Sequence, residues 1–252
     1  MSNPIYLRAL DAHVAAFAGA RDSGSVLFEF GAGSDLFSSF YLHSRGFPRQ
    51  IVVDLERNVY PDALNSLVAA ADFVGDKSEF TADFASELLS RGIVYMAPYD
   101  VRECQLADHS ISYICTTNTL EHIPEADLRR ILAQCRRILR PDGVMSMWID
   151  YSDHYSHSDP AISAYNFLQF SAERWAPHNS HLQFQNRLRH GDYRCLFVEA
   201  GFEVTAEMRF HADDWQQALD RIEIDEEFRN VSREELGATG GHFILRPIHR
   251  VS

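Results

Sequence analysis

The sequence predicts an α/β fold in which a mostly parallel β-sheet carries helices on both faces. Short apolar runs of strand-type residues alternate with stretches of helical spacing through the first part of the chain. A turn that contains two glycines joins the first apolar run to the helical stretch after it. Such alternation favours a parallel sheet, because each helix returns the chain to the end of the sheet where the next strand begins.

The predicted strands of the first part are apolar runs bounded by turn residues. They cover residues 25–30, 50–55, 92–97, 111–116 and 144–149. A helical stretch over residues 35–44 follows the first strand. The clearest helix covers residues 125–139, where apolar residues recur on one side and four arginines occupy the other. A Pro-Asp-Gly sequence at residues 141–143 then predicts a turn into the fifth strand.

The second part of the chain predicts an edge hairpin after a loop-rich insertion. Residues 186–201 are predicted as a helix, 202–208 as a strand, 213–236 as one acidic helix and 242–248 as the last strand. The last two strands are expected to pair antiparallel at the edge of the sheet. Between about residues 150 and 190 the chain is rich in His, Tyr, Trp and Asn, which is typical of a loop-rich insertion on the substrate side. No linker composition interrupts the chain, so residues 1–252 are expected to form a single domain.

Composition favours a small-molecule partner. The 252 residues contain 23 Lys and Arg against 36 Asp and Glu, a formal net charge of -13 that opposes binding to nucleic acid. The chain lacks a long apolar run and an N-terminal signal pattern, so we expect no membrane partner and a cytoplasmic location. Its four cysteines form no CxxC pair, which argues against a disulfide framework and a zinc knuckle. The sequence leaves open a homodimer.

The glycine turn and a later acid together predict a nucleotide site. Gly31 and Gly33 allow the backbone to turn tightly and to approach a ligand closely. Asp54 ends the second predicted strand 21 positions after Gly33, where an acid can bind both ribose hydroxyls. The alternative is an ordinary turn and an acid that caps a helix.

Two residues favour S-adenosylmethionine over a dinucleotide. Leu36 stands where a dinucleotide fingerprint places its third glycine. Glu29, two residues before Gly31, would repel a pyrophosphate but suits a ligand that carries an ammonium and a sulfonium group.

Five motifs follow one another between residues 26 and 149. They are Glu29-Phe30-Gly31-Ala32-Gly33, Asp54-Leu55, Tyr99-Asp100-Val101, Asn118-Thr119-Leu120-Glu121-His122-Ile123-Pro124 and Leu139-Arg140-Pro141-Asp142-Gly143. In this order they resemble the motifs of class I S-adenosylmethionine-dependent methyltransferases, particularly the small-molecule branch often labelled type 11.

This resemblance implies a Rossmann-like sheet of seven strands whose last strand is antiparallel, with S-adenosyl-L-methionine as the cofactor. The first motif, from Glu29 through Ala32 to Gly33, would wrap the methionine part. Asp54 would bind the ribose, Leu55 would contact adenine, and Asp100 with Val101 would hold the adenine amino group. The resemblance also places Asn118, Thr119, Glu121 and His122 along the site.

The acceptor chemistry is predicted on the chain that follows the fifth strand. Residues 150–157 hold the densest set of proton-transfer groups in the sequence, and the carboxyl ends of the strands are where ligands enter such a sheet. His154 is the first candidate for a general base, because imidazole titrates near neutral pH. Asp150 and Asp153 could orient it, while Tyr151, Tyr155 and His157 could line the acceptor pocket. The alternative for each is a loop residue that packs locally.

The expected activity is methyl transfer to an oxygen, nitrogen or carboxylate of a metabolite, sugar or biosynthetic intermediate. A nicotinamide oxidoreductase and a non-catalytic cofactor-binding relative are the alternatives. A divalent-metal site on Asp153, His154 and His157 with His178 or His181 is a further alternative. Because that spacing is not diagnostic, the sequence assigns no metal.

Overall fold

The computed structural model describes residues 4–18, 24–180 and 184–248. Its strands are β1 (Leu27–Phe30), β2 (Gln50–Val53), β3 (Ile93–Met96), β4 (Ile111–Thr117), β5 (Leu139–Asp150), β6 (Phe202–His211) and β7 (Ala238–Pro247). They form one seven-stranded sheet in the order β3-β2-β1-β4-β5-β7-β6. The first five strands pair in parallel, and β7 lies antiparallel between β5 and β6. The predicted Rossmann-like α/β class is confirmed.

The helices are α1 (Pro4–Ala16), α2 (Phe37–Ser44), α3 (Pro61–Ala70), α4 (Phe84–Ser90), α5 (Glu125–Ile138), α6 (Ala172–Trp175), α7 (His190–Glu199), α8 (Trp215–Asp220) and α9 (Arg233–Leu236). Short 3-10 turns lie at Val101–Glu103, Leu120–His122, His154–His157, Asn166–Gln169, Ala176–His178 and Glu226–Phe228. None of the described helices has the length and apolarity that a membrane span requires.

Side chains of the central strands alternate between two packed layers. Phe28 and Ile114 belong to a core cluster that includes the apolar face of α5 and part of α7. Their neighbours Leu27 and Tyr113 pack instead with Leu42 of α2. Because successive residues of a strand point to opposite faces, these contacts place helices on both sides of the sheet.

The site is positioned by the point where the strand order reverses. β1 pairs with β2 on one side and with β4 on the other. The chain leaves β1 toward β2 but leaves β4 toward β5, so the loops after β1 and β4 diverge. A crevice therefore opens at the carboxyl ends of these two strands, which is where ligands bind in open α/β sheets.

The helix predicted over residues 125–139 ends one residue earlier, at Ile138, and β5 begins at Leu139. The predicted turn at 141–143 lies inside β5 as an irregularity. Ile111 pairs with Leu139 and Tyr113 pairs with Val144, so the residues between Leu139 and Val144 bulge from the ladder.

The single acidic helix predicted over residues 213–236 is wrong: α8, a 3-10 turn and α9 replace it. The side chains of Asp225 and Ser232 accept hydrogen bonds from the N–H groups of Glu227 and Glu235, and each begins a new turn. Asp and Ser favour such caps over helix interiors. Leu219, Phe228 and Leu236 then each reach the apolar cluster under the insertion.

Two further helices, α7 and α1, differ from the prediction. Helix α7 begins at His190 rather than at residue 186, because Arg187 has a φ of 60°, which an α-helix cannot contain. Helix α1 was not predicted, since its N-terminal residues show little amphipathic contrast and only Ala9, Leu10 and His13 are buried.

Candidate active site

The glycine turn directly after β1 lies against the loop that follows β4. Gly31 and Gly33 have φ values of 74° and 73°. A Cβ atom on Gly31 would lie 2.3 Å from Oγ1 of Thr119, so only glycine permits this approach. The turn thus leaves bare main chain at the crevice between β1 and β4.

Asp54 meets this turn from the end of β2. The N–H of Gly33 donates to Oδ2 of Asp54 at 3.3 Å, and the N–H of Glu56 donates to Oδ1 at 3.2 Å. The N–H of Gly31 donates to the carbonyl of Val53 at 3.0 Å. The two halves of the predicted nucleotide site are therefore in contact.

A cavity of about 310 Å³ opens between these segments. This volume lies within the range of small-ligand pockets. The cavity is lined by Phe30, Gly31, Val53, Asp54, Leu55, Glu56, Asn58, Tyr99, Asp100, Val101, Arg102, Thr119, His122, Ile123, Pro124, Asp127 and Ile131. Seven residues predicted from the sequence are in this set, namely Gly31, Asp54, Leu55, Asp100, Val101, Thr119 and His122.

Glu29 lies outside this lining. Its carboxylate is buried and accepts hydrogen bonds from Ser38 Oγ and, at 2.8 Å, from Ser39 Oγ, both on α2. Burial raises the pKa of Glu29 to about 7, although both hydroxyls act to lower it. In the described conformation Glu29 fastens α2 to β1, and its carboxylate is not available to a ligand's ammonium group.

Three other predicted cofactor contacts also lie outside the lining. Ala32 is buried in the cluster formed with α2 and α3. Gly33 instead contributes the hydrogen bond to Asp54. Asn118 is exposed with a φ of 51°, and its N–H donates to the carbonyl of Trp148 at 2.9 Å.

Asp100 is held by an arginine that the sequence analysis missed. Arg102 binds the Asp100 carboxylate at 2.7 Å and the carboxylate of Asp127 on α5 at 2.8 Å. The hydrogen bonds from Arg102 lower the pKa of Asp100. Asp127 and Ile131, which also line the cavity, are one turn apart on the same side of α5. This spacing could have indicated from the sequence that both face the site.

On the acceptor side, the structure brings together Asp150, His154 and His157. Asp150 Oδ2 lies 3.7 Å from Nε2 of His154 and 3.5 Å from Nε2 of His157. Burial lowers the pKa of His154 to about 4, so its ring is neutral near pH 7. The rings of His154 and His122 are 4.8 Å apart between centroids, which connects this group to the cavity.

Glu121 completes the cluster. Glu121 is 2% exposed, and neither carboxylate oxygen has a well-formed hydrogen bond within the described residues, although the backbone N–H groups of Glu121 and Asp150 lie close enough to act against the rise of its pKa. Burial raises the pKa of Glu121 well above its usual range, and the charge of Asp150 raises it further. Within the described ranges, two overlapping groups have a geometry that could hold a metal ion: Glu121, His122 and His154, and Asp150, His154 and His157.

Tyr151 and Asp153 are not part of this cluster. Tyr151 is buried, its ring stacks on Tyr193, and its hydroxyl lies 3.1 Å from Nδ1 of His190. Adjacent residues of extended chain point in opposite directions, so Tyr151 faces the core where Asp150 faces the site.

Asp153 is fully buried and binds the N–H of Tyr155 and the amide of Asn166. His178 is in neither metal-type group, and His181 lies outside the described residues.

Comparison with known proteins gives one family and many structures of similar fold. The sequence model of the methyltransferase domain family matches residues 5–207. No curated protein matches the chain.

Three solved structures illustrate the shared fold. The first is a chain from the complex between the Haloferax volcanii Trm112 methyltransferase activator and a methyltransferase. Its sequence is 18% identical, the alignment covers 98% of this chain and 93% of that chain, and the TM-score is 0.56. The second is Haemonchus contortus phosphoethanolamine N-methyltransferase 2 with S-adenosyl-L-methionine. It is 14% identical, the alignment covers 96% of this chain and 53% of that chain, and the TM-score is 0.58. The third is Streptomyces coelicolor A3(2) geranyl diphosphate C-methyltransferase with Mg²⁺, geranyl diphosphate and S-adenosyl-L-homocysteine. It is 10% identical, the alignment covers 96% of this chain and 76% of that chain, and the TM-score is 0.57.

Proposed function

This chain belongs to the methyltransferase domain family, and on that premise we propose that it methylates an oxygen, nitrogen or carboxylate of a small molecule. It is a class I enzyme of the S-adenosylmethionine-dependent type, and S-adenosyl-L-methionine is its cofactor. The observation that carries the proposal is the contact between Gly33 and Asp54 at the edge of the cavity. The contact supports the proposal because a bare main-chain turn and an acid that could bind ribose hydroxyls border the same ligand-sized cavity.

The residues of this cavity fit an adenosyl group. Asp54 has a partly exposed carboxylate for the ribose hydroxyls. Leu55 is 59% exposed beside it, although leucine side chains are usually buried, and it offers an apolar surface for adenine together with Val101 and Ile131. Bound there, the cofactor supplies an electrophilic methyl group on a sulfonium.

The acceptor is proposed to bind beside the cluster of Asp150, His154 and His157. His122 belongs to the cavity lining and also contacts the His154 ring, so the two sites adjoin. In this proposal His154 takes a proton from the acceptor, because its Nε2 atom has no hydrogen-bond partner among the described residues. Asp150 and His157 would orient it. Tyr151 has no part in this proposal.

A binding experiment tests the cofactor half of the proposal without knowledge of the acceptor. Titration calorimetry with S-adenosylhomocysteine should give micromolar binding to the full chain. Asp54→Ala should weaken this binding at least tenfold, because the ribose hydroxyls lose their acceptor. Asp72→Ala, which removes an exposed acid away from the cavity, should leave the affinity unchanged.

Fluorescence titration with NADH separates this function from the oxidoreductase alternative. We expect no binding of NADH. Binding of NADH, or no binding of S-adenosylhomocysteine to folded protein, would contradict the proposal.

A further inference from the structure

Five metal-ligating side chains meet where the chain leaves β4 and β5. In the part of the chain that the structure describes, Glu121, His122 and His154 have ligand atoms within 4.8 Å of one another. The same limit holds for Asp150, His154 and His157. His154 is common to both groups. Asp150, His154 and His157 come from one segment, whereas Glu121 and His122 come from the loop after β4, so the fold brings the two groups together.

The distances within the cluster match the spacing of ligands around a metal ion. Nε2 of His154 and Nε2 of His157 lie 3.7 and 3.5 Å from Asp150 Oδ2. Neither distance is that of a good hydrogen bond. Zinc binds imidazole and carboxylate at about 2.0–2.2 Å in a tetrahedron, which separates its ligand atoms by roughly 3.3 Å. Small side-chain adjustments would bring these three atoms to that spacing.

Unpartnered buried atoms point to a missing ligand. Both oxygens of Glu121 and the Nε2 atom of His154 are buried without a well-formed hydrogen bond within the described residues. The backbone N–H groups of Glu121 and Asp150 lie near the Glu121 carboxylate, and Asp150 Oδ2 lies 3.7 Å from His154 Nε2. A buried carboxylate without a partner is strongly unfavourable, and proteins usually pair such a group or bind a metal with it. A cation bound by Glu121, His122 and His154 would give a partner to the Glu121 carboxylate and to the His154 ring.

The surrounding hydrogen bonds leave the right atoms free. Nδ1 of His122 lies 2.9 Å from the carbonyl of Phe184, so this nitrogen can donate and leave Nε2 as a ligand. Asp150 Oδ1 accepts from the N–H and the hydroxyl of Ser152 at 2.7 and 2.6 Å, which leaves Oδ2 toward the histidines. His157 is the exception, because its Nε2 lies 3.0 Å from Ser152 Oγ and must leave that contact to bind an ion; its side chain is 55% exposed.

We propose that this cluster binds one divalent transition-metal ion of the Zn²⁺ class, with His154 as the central ligand and His157 as the outer, exchangeable one. Imidazole and carboxylate ligands together suit Zn²⁺ and its neighbours better than they suit Ca²⁺ or Mg²⁺. The site differs from the metal alternative in the sequence, because Asp150 and Glu121 replace Asp153 and no described ligand comes from His178.

The ion would also define the acceptor, a step that rests on the proposed function. His122 lines the cofactor cavity and belongs to the cluster, so the ion lies at the boundary of that cavity. An oxygen of the acceptor that binds the ion would lose its proton more easily, because the cation stabilises the anionic form. In the metal-bound protein the ion would take over the role proposed for His154 in lowering the acceptor's pKa, His154 would be a ligand, and hydroxyl acceptors would be favoured over amines.

Metal titration of the chelator-treated protein tests the site. Calorimetry with ZnCl₂ should show one tightly bound ion per chain, and CoCl₂ should give the visible absorption bands of a protein-bound Co²⁺ ion. Glu121→Gln and His154→Ala should each weaken Zn²⁺ binding at least tenfold. His178→Ala, which removes an exposed histidine outside both groups, should leave it unchanged.

His157→Ala keeps the test decisive if the buried variants fail to fold. Because this side chain is largely exposed, the variant should fold, bind Zn²⁺ more weakly and alter the Co²⁺ spectrum. Absence of Co²⁺ bands in the wild type, or equal Zn²⁺ affinity in the wild type and all three cluster variants, would overturn the proposal. Titration of the metal-free protein with S-adenosylhomocysteine tests the proposed function separately, since Asp54 and Leu55 are not in the cluster.

Discussion

Single residues decide how the cofactor cavity is shaped. Gly31 lets the turn after β1 touch Thr119, and Leu36 adopts a φ of 55° while its side chain remains fully buried before α2. Glu29 shows the opposite case, because a residue type that suits a charged ligand is used to hold α2. Residue type therefore indicates which chemistry is available, while the direction of the side chain decides whether a ligand can use it.

Gly31→Ala is the sharpest substitution at this scale. The new Cβ would lie 2.3 Å from Thr119 Oγ1, and alanine is strained at a φ of 74°. We expect a loss of about 1–3 kcal/mol of stability and at least a tenfold loss of S-adenosylhomocysteine affinity. Chemical denaturation and calorimetry measure the two effects.

Gly75→Ala is the matched control for this substitution. Its Cβ would have no described atom within 4 Å beyond its chain neighbours. Equal cofactor affinity in the two glycine variants would show that the close approach of Gly31 to Thr119 is unimportant for binding.

The helices were predicted best where one apolar face is decisive. The buried residues of α5 are Leu128, Ile131, Leu132, Cys135 and Ile138, and these are the positions that the 3.6-residue period indicates. Between residues 213 and 236 the same reasoning failed, because capping side chains divide the segment into short turns. Periodicity identifies a buried face, but local caps decide where a helix begins and ends.

Helix α4 offers a matched pair that tests this account of burial. Leu88 is fully buried and Leu89 is 60% exposed on the adjacent position. Leu88→Ala should cost about 2–5 kcal/mol, the usual loss for a buried leucine. Leu89→Ala should change stability by less than about 0.5 kcal/mol, as exposed substitutions do. Urea unfolding of both variants gives the comparison, and similar losses would contradict the burial assigned to this helix.

Across the whole molecule, a buried polar chain connects α1 to three strands. His13 Nδ1 lies 2.7 Å from Ser146 Oγ on β5, and His13 Nε2 lies 3.1 Å from Thr117 Oγ1 on β4. Ser146 Oγ lies 2.8 Å from Nε2 of His242 on β7. Burial lowers the pKa of His13 to about 3 and that of His242 to about 4. Both rings are therefore neutral in the folded protein above about pH 5.

These two buried, neutral histidines predict that acid destabilises the fold. Between about pH 6.5 and pH 4 the unfolded chain binds protons that His13 and His242 in the folded protein do not, so stability falls as the pH falls. At pH 5 each histidine should contribute a loss of about 1–2 kcal/mol relative to pH 7. Urea unfolding at several pH values measures the slope.

A double variant, His13→Gln with His242→Gln, isolates this contribution. Glutamine retains hydrogen-bonding groups but does not titrate. The stability of the double variant should therefore fall less between pH 7 and pH 5 than the stability of the wild type. The raised pKa of Glu29 acts in the opposite sense, because stability from that group is lost as the pH rises through about 7. Glu29 is present in both proteins and cancels in the comparison. An identical slope in both would exclude the two histidines as its source.

The sequence by itself determined the order of the strands, helix α5, the nucleotide turn and the acid that meets it. These features depend on neighbours along the chain: apolar periodicity, glycine in a turn and an acid at a strand end. Only the tertiary structure decided that Glu29 and Tyr151 are buried away from the cavity, that Arg102 joins Asp100 to Asp127 of α5, and that Glu121 lies with His122 and His154. The physical reason is that these relations depend on the direction in which each side chain points and, for Asp127 and His154, on contacts between separate segments of the chain. Strand pairing and helix packing set both.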